Sequence, residues 1–207
     1  MIQHLAGIAA IAGVFLLTGC ANDPGRIEAK APVEKRSDIP TGPVSAFTAF
    51  YKMYEPARKW SSDIQVASVT AMDPESIGKN DGKCSAWQAV FVSPVKRQSQ
   101  TYTYSTVEMP GIPKGISAGR ATAWFGATPD AKPFSNSEMS VDSTAAYKTA
   151  AEKASGWLKK NSEKPVTTFA LGDANRFPAP TWYIVWGTKK SGYNVYLNAS
   201  TGKVLGK

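Results

Sequence analysis

Two stretches of the chain place apolar residues at helical spacing. In the first, Phe47, Phe50, Tyr54 and Ala57 share one stripe, and Pro56 is expected to kink or end the helix before Trp60. In the second, Tyr147, Ala150, Ala154, Trp157 and Leu158 form the stripe. Val141-Asp142-Ser143 ahead of it supplies a staple residue and an N-cap, and Lys159, Lys160 and Asn161 suit its C-terminus. Strand-like runs follow each helix, at 64–72, 85–92 and 101–107 after the first and at 165–171, 182–187 and 193–197 after the second. Residues 119–125 are a candidate further strand in the Gly- and Pro-rich stretch between them.

The order of features is therefore the same twice over: a helix ending in tryptophan (Trp60, Trp157), then a meander whose middle strand opens with another (Trp87, Trp182). Both meanders have a basic hairpin tip, Lys96-Arg97 in the first and Lys189-Lys190 in the second. The chain reads as an α+β protein of two repeated units, each one helix packed on a three- to four-stranded antiparallel sheet. The expected boundaries are 45–126 for a divergent first unit, 127–138 for a linker and 139–207 for the second unit.

The second unit closes with Tyr193-Asn194-Val195-Tyr196-Leu197-Asn198-Ala199-Ser200-Thr201-Gly202-Lys203-Val204, Gly202 supplying a left-handed turn residue before a last short strand. A helix, a meander and this ending resemble the PepSY domain, a small α+β module of peptidase propeptides and bacterial envelope proteins. The match is best over residues 142–204. The first unit departs from it, with Val107-Glu108-Met109-Pro110-Gly111 where the second has its turn, and with an insertion around 73–83. The resemblance implies a binding or regulatory role, including peptidase inhibition, and carries no catalytic residue.

Residues 1–19 contain no Lys, Arg, Asp or Glu, and their apolar run is of signal-peptide length, too short to span a bilayer. The run ends in Leu16-Leu17-Thr18-Gly19-Cys20, which resembles the lipobox of bacterial lipoproteins and implies a lipid on Cys20. His4 and the α-amino group stand where an n-region usually has Lys or Arg. Ala21 follows the cysteine where Asp would retain the protein at the inner membrane, which places it on the outer membrane, facing the periplasm, of a two-membrane cell. Residues 20–44 then read as the lipidated cysteine and a disordered tether, with four acidic and four basic residues in balance and a reach of roughly 25 to 30 Å.

The formal excess of eight positive charges thus falls on the body. Its lysines are dispersed rather than massed, which turns the reading away from nucleic acid and toward an envelope protein, a peptidase or an anionic envelope polymer. Cys84 is the thiol left after Cys20 is acylated, so no intramolecular disulfide forms. It reads as a small buried residue beside a strand, with an intermolecular bridge as the alternative.

His4, which leaves with the signal peptide, is the one histidine, so triads and His-containing zinc sites have no imidazole. Ser-x-x-Lys at 93–96 and 200–203 lies on strand ends or turns rather than a helix start. Gly78 to Lys83 imitates a phosphate loop but is one residue short and is followed by Cys84 where Ser or Thr is needed. Asp73, Glu75 and Asp81 lack the ligand order of a calcium loop, and a solvated hairpin loop is expected there. No cofactor or metal is expected, and the reading is non-enzymatic. The alternatives are a carboxylate-based cell-wall hydrolase and a purely structural lipoprotein.

Along 182–186, Trp182, Ile184 and Trp186 point to one side and Tyr183 and Val185 to the other. The tryptophan row is expected to be core. Tyr183 and Tyr196 are left for the second face, to be covered by the other unit or by a partner, and with Lys96, Arg97, Lys189 and Lys190 they are the candidate binding residues.

Overall fold

The computed structural model describes residues 39–128, 131–173, 177–188 and 191–206. The signal peptide, Cys20, the tether up to residue 38 and the Lys189-Lys190 pair lie outside the described residues. Helix α1 is Ala46–Trp60, capped by Ser45, whose hydroxyl accepts from the Thr48 N–H. Its buried residues Ala46, Ala49, Phe50, Met53 and Ala57 keep helical spacing. Of the two expected outcomes, Pro56 does not end the helix, which continues to Trp60. Packing of the apolar stripe outweighs the one backbone donor that proline removes.

Strands β1 (Gln65–Ala71), β2 (Ala86–Ser93) and β3 (Gln98–Ser105) form an antiparallel meander, extended on the outer side of β3 by two short strands, β4 (Gly115–Ala118) and β5 (Thr122–Ala123). The single strand anticipated at 119–125 is thus replaced by two, separated by Gly119 to Ala121. A left-handed glycine, Gly111 (φ 75°), sits in the turn leading to β4. The first half therefore has an equivalent of the Gly202 turn that its sequence hides. Helix α2 (Ser143–Leu158) precedes β6 (Val166–Gly172), β7 (Thr181–Trp186), β8 (Tyr193–Asn198) and β9 (Val204–Gly206), again antiparallel throughout. At the β8–β9 turn, Asn198 Oδ1 accepts from the N–H groups of Ser200 and Thr201, and Gly202 has φ 71°.

The protein is α+β, and among the described residues all strands belong to one antiparallel sheet ordered β4-β3-β2-β1-β6-β7-β8-β9 with β5 beside β3. The two meanders join edge to edge: Ser68, Val69 and Thr70 pair with Gly172, Leu171 and Ala170. The halves therefore meet edge to edge rather than through their second faces, which removes one of the two expected ways of covering Tyr183 and Tyr196. Opposed residues in an antiparallel ladder share a face. The register Ala89–Val69–Leu171–Trp182 therefore puts the side that β2 shows to α1 on the same side of the sheet that β7 shows to α2. Both helices cover one face, and one core runs through both halves. Across the seam the rings of Trp87 and Phe169 lie 6.1 Å apart, and those of Phe169 and Trp182 5.2 Å apart.

The two tryptophans occupy matching places. Trp87 Nε1–H donates to the Val44 carbonyl at 2.9 Å, and Trp182 Nε1–H to the Val141 carbonyl at 2.8 Å, each acceptor lying two residues before its helix. The helix N-termini meet: the Ala46 N–H donates to Ser143 Oγ, and the Phe47 N–H to Asp142 Oδ1. The folded body starts ahead of residue 45, since Val44 bridges Cys84 and is itself buried.

Residues 73–83 are not the solvated loop that their composition implies. Pro74–Lys79 is a 3-10 turn with Ile77 fully buried. Gly82 (φ 84°) lies so close to α2 that a Cβ there would stand 2.6 Å from the Ser143 carbonyl oxygen. In the connecting stretch, Phe134 forms a two-way backbone bridge with Val66, and Ser135 and Glu138 close a capping box around Asn136–Glu138.

Candidate functional site

The β2–β3 turn is built on a polar anchor. Asp63 accepts from Ser61 Oγ at 2.6 Å, Ser93 Oγ at 2.7 Å and the Val95 N–H at 2.8 Å. These hydroxyl and amide donors, Ser61 first, favour the charged carboxylate and hold its pKa at about 2. The Lys96 N–H donates to Ser93 Oγ, Lys96 Nζ to the Trp60 carbonyl at the end of α1, and the ammonium sits 5.3 Å from the centre of the Trp60 ring. The turn closes through the Arg97 N–H to Pro94 O bond, with Arg97 at φ 52°. The Trp124 N–H donates to the Arg97 carbonyl, which brings the β5 exit alongside.

This tip carries more than charge. Among the described residues, three large apolar or aromatic side chains are exposed: Val95 at 80%, Phe125 at 90% and Tyr51 at 54%. The first lies in the turn and the second directly after Trp124, so two of the three flank Lys96 and Arg97. Sequence reading singled out the cations and missed Val95 and Phe125, because lone apolar residues in a loop carry no periodic signal.

β2 runs against β1, β1 against β6 and β6 against β7, so β2 and β7 run in opposite senses. The β2–β3 turn and the β7–β8 turn thus leave opposite ends of the sheet.

Trp182, Ile184 and Trp186 are buried against the α2 side, Trp186 lying 6.2 Å from the Tyr147 ring. Tyr183 and Tyr196 lie on the opposite face, stacked at 4.8 Å with 20° between planes. Partial burial pushes the Tyr183 hydroxyl pKa up, and Tyr196 adds to the shift. A neighbour of the pair is Phe177, 5.3 Å from Tyr196.

The motifs set aside in the sequence have structural uses. Ser93 is fully buried and bonded to Asp63, and Ser200 Oγ donates to the Glu138 carbonyl. The Gly82 and Lys83 amides donate to Ile77 and Asn80 carbonyls, so they do not cradle a phosphate. Cys84 is fully buried, with Sγ 3.3 Å from the Asp73 carbonyl oxygen, a setting closed to an intermolecular disulfide. A cleft of about 460 Å³ beside Tyr147 includes Glu75 and Glu163 together with Lys79 and Lys164, and Glu163 pairs with Lys164 at 3.5 Å. Among the described residues no group of three or more His, Cys, Asp or Glu side chains could hold a metal ion, and no helix is long and apolar enough to cross a membrane.

No protein-family model matches the chain, and no curated protein matches it. A solved structure, that of a candidate lipoprotein from Clostridium difficile 630, aligns over 76% of this chain and 90% of its own, at 8% identity and a TM-score of 0.43.

Proposed function

We propose that this protein is a non-catalytic binding module of the bacterial envelope, held at the membrane by a lipid on Cys20 and built from two PepSY-like units fused through one sheet. It docks through the β2–β3 tip to an envelope protein or an anionic envelope polymer. The observation that carries this reading is the tip itself, where Val95 and Phe125 stand in solvent beside Lys96 and Arg97 on a turn pinned by Asp63. Exposed aromatic and aliphatic side chains beside cations are the composition of an interface anchor, and a rigid mount lowers the entropy lost on binding.

The lipobox-like run and Ala21 support a location on the outer membrane of a two-membrane cell. Peptidase inhibition, where it occurs, would act by surface docking. A tight turn with Arg97 in the left-handed region does not lie extended in a cleft as a substrate does. For a carboxylate hydrolase, the cleft residues Glu75 and Glu163 are the candidates, and each has a lysine close by in the same cleft.

The test is photo-crosslinking in intact envelopes with a crosslinker at Val95. A defined adduct is expected, reduced at least tenfold by Phe125→Ala and made salt-insensitive by Lys96→Glu with Arg97→Glu. Equal capture by the wild type and all tip variants, or peptidoglycan turnover abolished by Glu75→Gln, would overturn the reading.

A further inference from the structure

The face of the sheet turned away from the helices is almost fully defined by the strand register. Across β3, β2, β1, β6, β7 and β8 one row reads Thr103, Gln88, Thr70, Ala170, Tyr183, Tyr196. The next reads Thr101, Val90, Ser68, Gly172, Thr181, Asn198. Ser117 on β4, Thr122 on β5, Thr168 on β6 and Asn194 on β8 extend it. None of these positions holds Asp, Glu, Lys or Arg, although the chain has 24 basic and 16 acidic residues. The solvated face of an antiparallel sheet is where such residues ordinarily go. Here it holds hydroxyls, carboxamides and small apolar side chains (Val90, Val92, Ala170 and Val185), with Val92, Thr103, Thr181 and Val185 buried, and one strip of three rings, Phe177, Tyr196 and Tyr183, at 5.3 and 4.8 Å spacing.

We propose that this face is a docking surface for an uncharged, linear glycan. A pyranose chain offers alternating patches of C–H bonds and rims of hydroxyls. The ring strip meets the C–H patches, while the half-buried Thr70, Gln88 and Asn194 donate to and accept from the hydroxyls. The absence of charge decides against the other occupants. An anionic polymer gains nothing from a face without cations. A second copy packed sheet to sheet would need interdigitating apolar side chains, whereas this face would bury a dense set of hydroxyls. Tyr183, Ala170 and Thr70 are half-buried rather than fully exposed, as expected of side chains that shield one another on a flat sheet. This surface is separate from the tip, and neither proposal depends on the other.

The test is titration calorimetry on the signal- and lipid-free protein with two probes, the β-1,4-linked hexamers of N-acetylglucosamine and of glucose. At least one should bind, with an affinity unchanged between low and high salt. Tyr183→Ala and Tyr196→Ala should each weaken binding tenfold or more, Tyr196→Phe should leave it within about twofold, and Thr70→Glu should weaken it without lowering the melting temperature. Three results would overturn the proposal: no binding of either hexamer at millimolar concentration, binding that survives both alanine variants, or a concentration-dependent dimer that Tyr183→Ala dissolves.

Discussion

Asp142 caps a helix to which it does not belong: Oδ1 accepts from the Phe47 N–H of α1 at 3.0 Å while also accepting from the Ser143 N–H of its own helix at 2.6 Å. Two helix N-termini, each with unsatisfied donors and a partial positive charge, converge on one carboxylate. The halves are thus joined at the helices as well as at the β1–β6 seam.

Asp142→Ala should lower the unfolding free energy by about 1–3 kcal/mol, with Asp142→Asn milder because an acceptor oxygen remains. Calorimetry of wild type and variant should show one transition, since one core spans both halves. Two separate transitions would contradict the shared core.

Trp87→Phe and Trp182→Phe each leave a buried or partly buried carbonyl, of Val44 or Val141, without its indole donor. The Val44 carbonyl still accepts from the Cys84 N–H, so Trp87→Phe should cost less than Trp182→Phe, which should cost about 1–3 kcal/mol by denaturant unfolding. A larger loss for Trp87→Phe would contradict this account.

The lowered Asp63 pKa gives the β2–β3 turn a defined acid limit. A carboxylate whose folded value lies below its ordinary one contributes stability that is present above the ordinary value and is lost as pH falls through the folded one. The tip should therefore keep its structure down to about pH 4 and loosen as pH falls toward about 2. The Asp63 carboxyl signal should titrate at about 2 by NMR, and Asp63→Asn should abolish this dependence and raise amide exchange at Val95.

Gly82→Ala should destabilise the protein by about 3 kcal/mol or more, because the left-handed backbone and the contact with Ser143 and Thr144 both resist a Cβ. Gly111→Ala, at a left-handed glycine with open space around it, should cost less. Urea midpoints of the two variants provide the comparison.

Local signals were legible wherever a period or a specific residue type enforces them. The helical stripes, the Asp142 cap, the Gly202 turn and the alternation from Trp182 to Trp186 all follow from side-chain geometry along one segment, and each lies where its residues put it. Pro56 does not end α1, because a single lost donor is a local cost while the stripe that holds α1 to the sheet is a sum over the whole helix. The insertion at 73–83 misled because its polar composition concealed one residue, Ile77, that the seam buries. What the sequence alone could not contain is the relation between segments far apart along the chain. Pairing of β1 with β6 is a choice of edge, made by hydrogen bonds and burial that no local pattern encodes. That choice joined the two meanders into one sheet and gathered scattered Ser, Thr, Gln, Asn and Tyr residues onto one face, while the equally non-local pairing of β3 with β5 set Phe125 beside the β2–β3 turn.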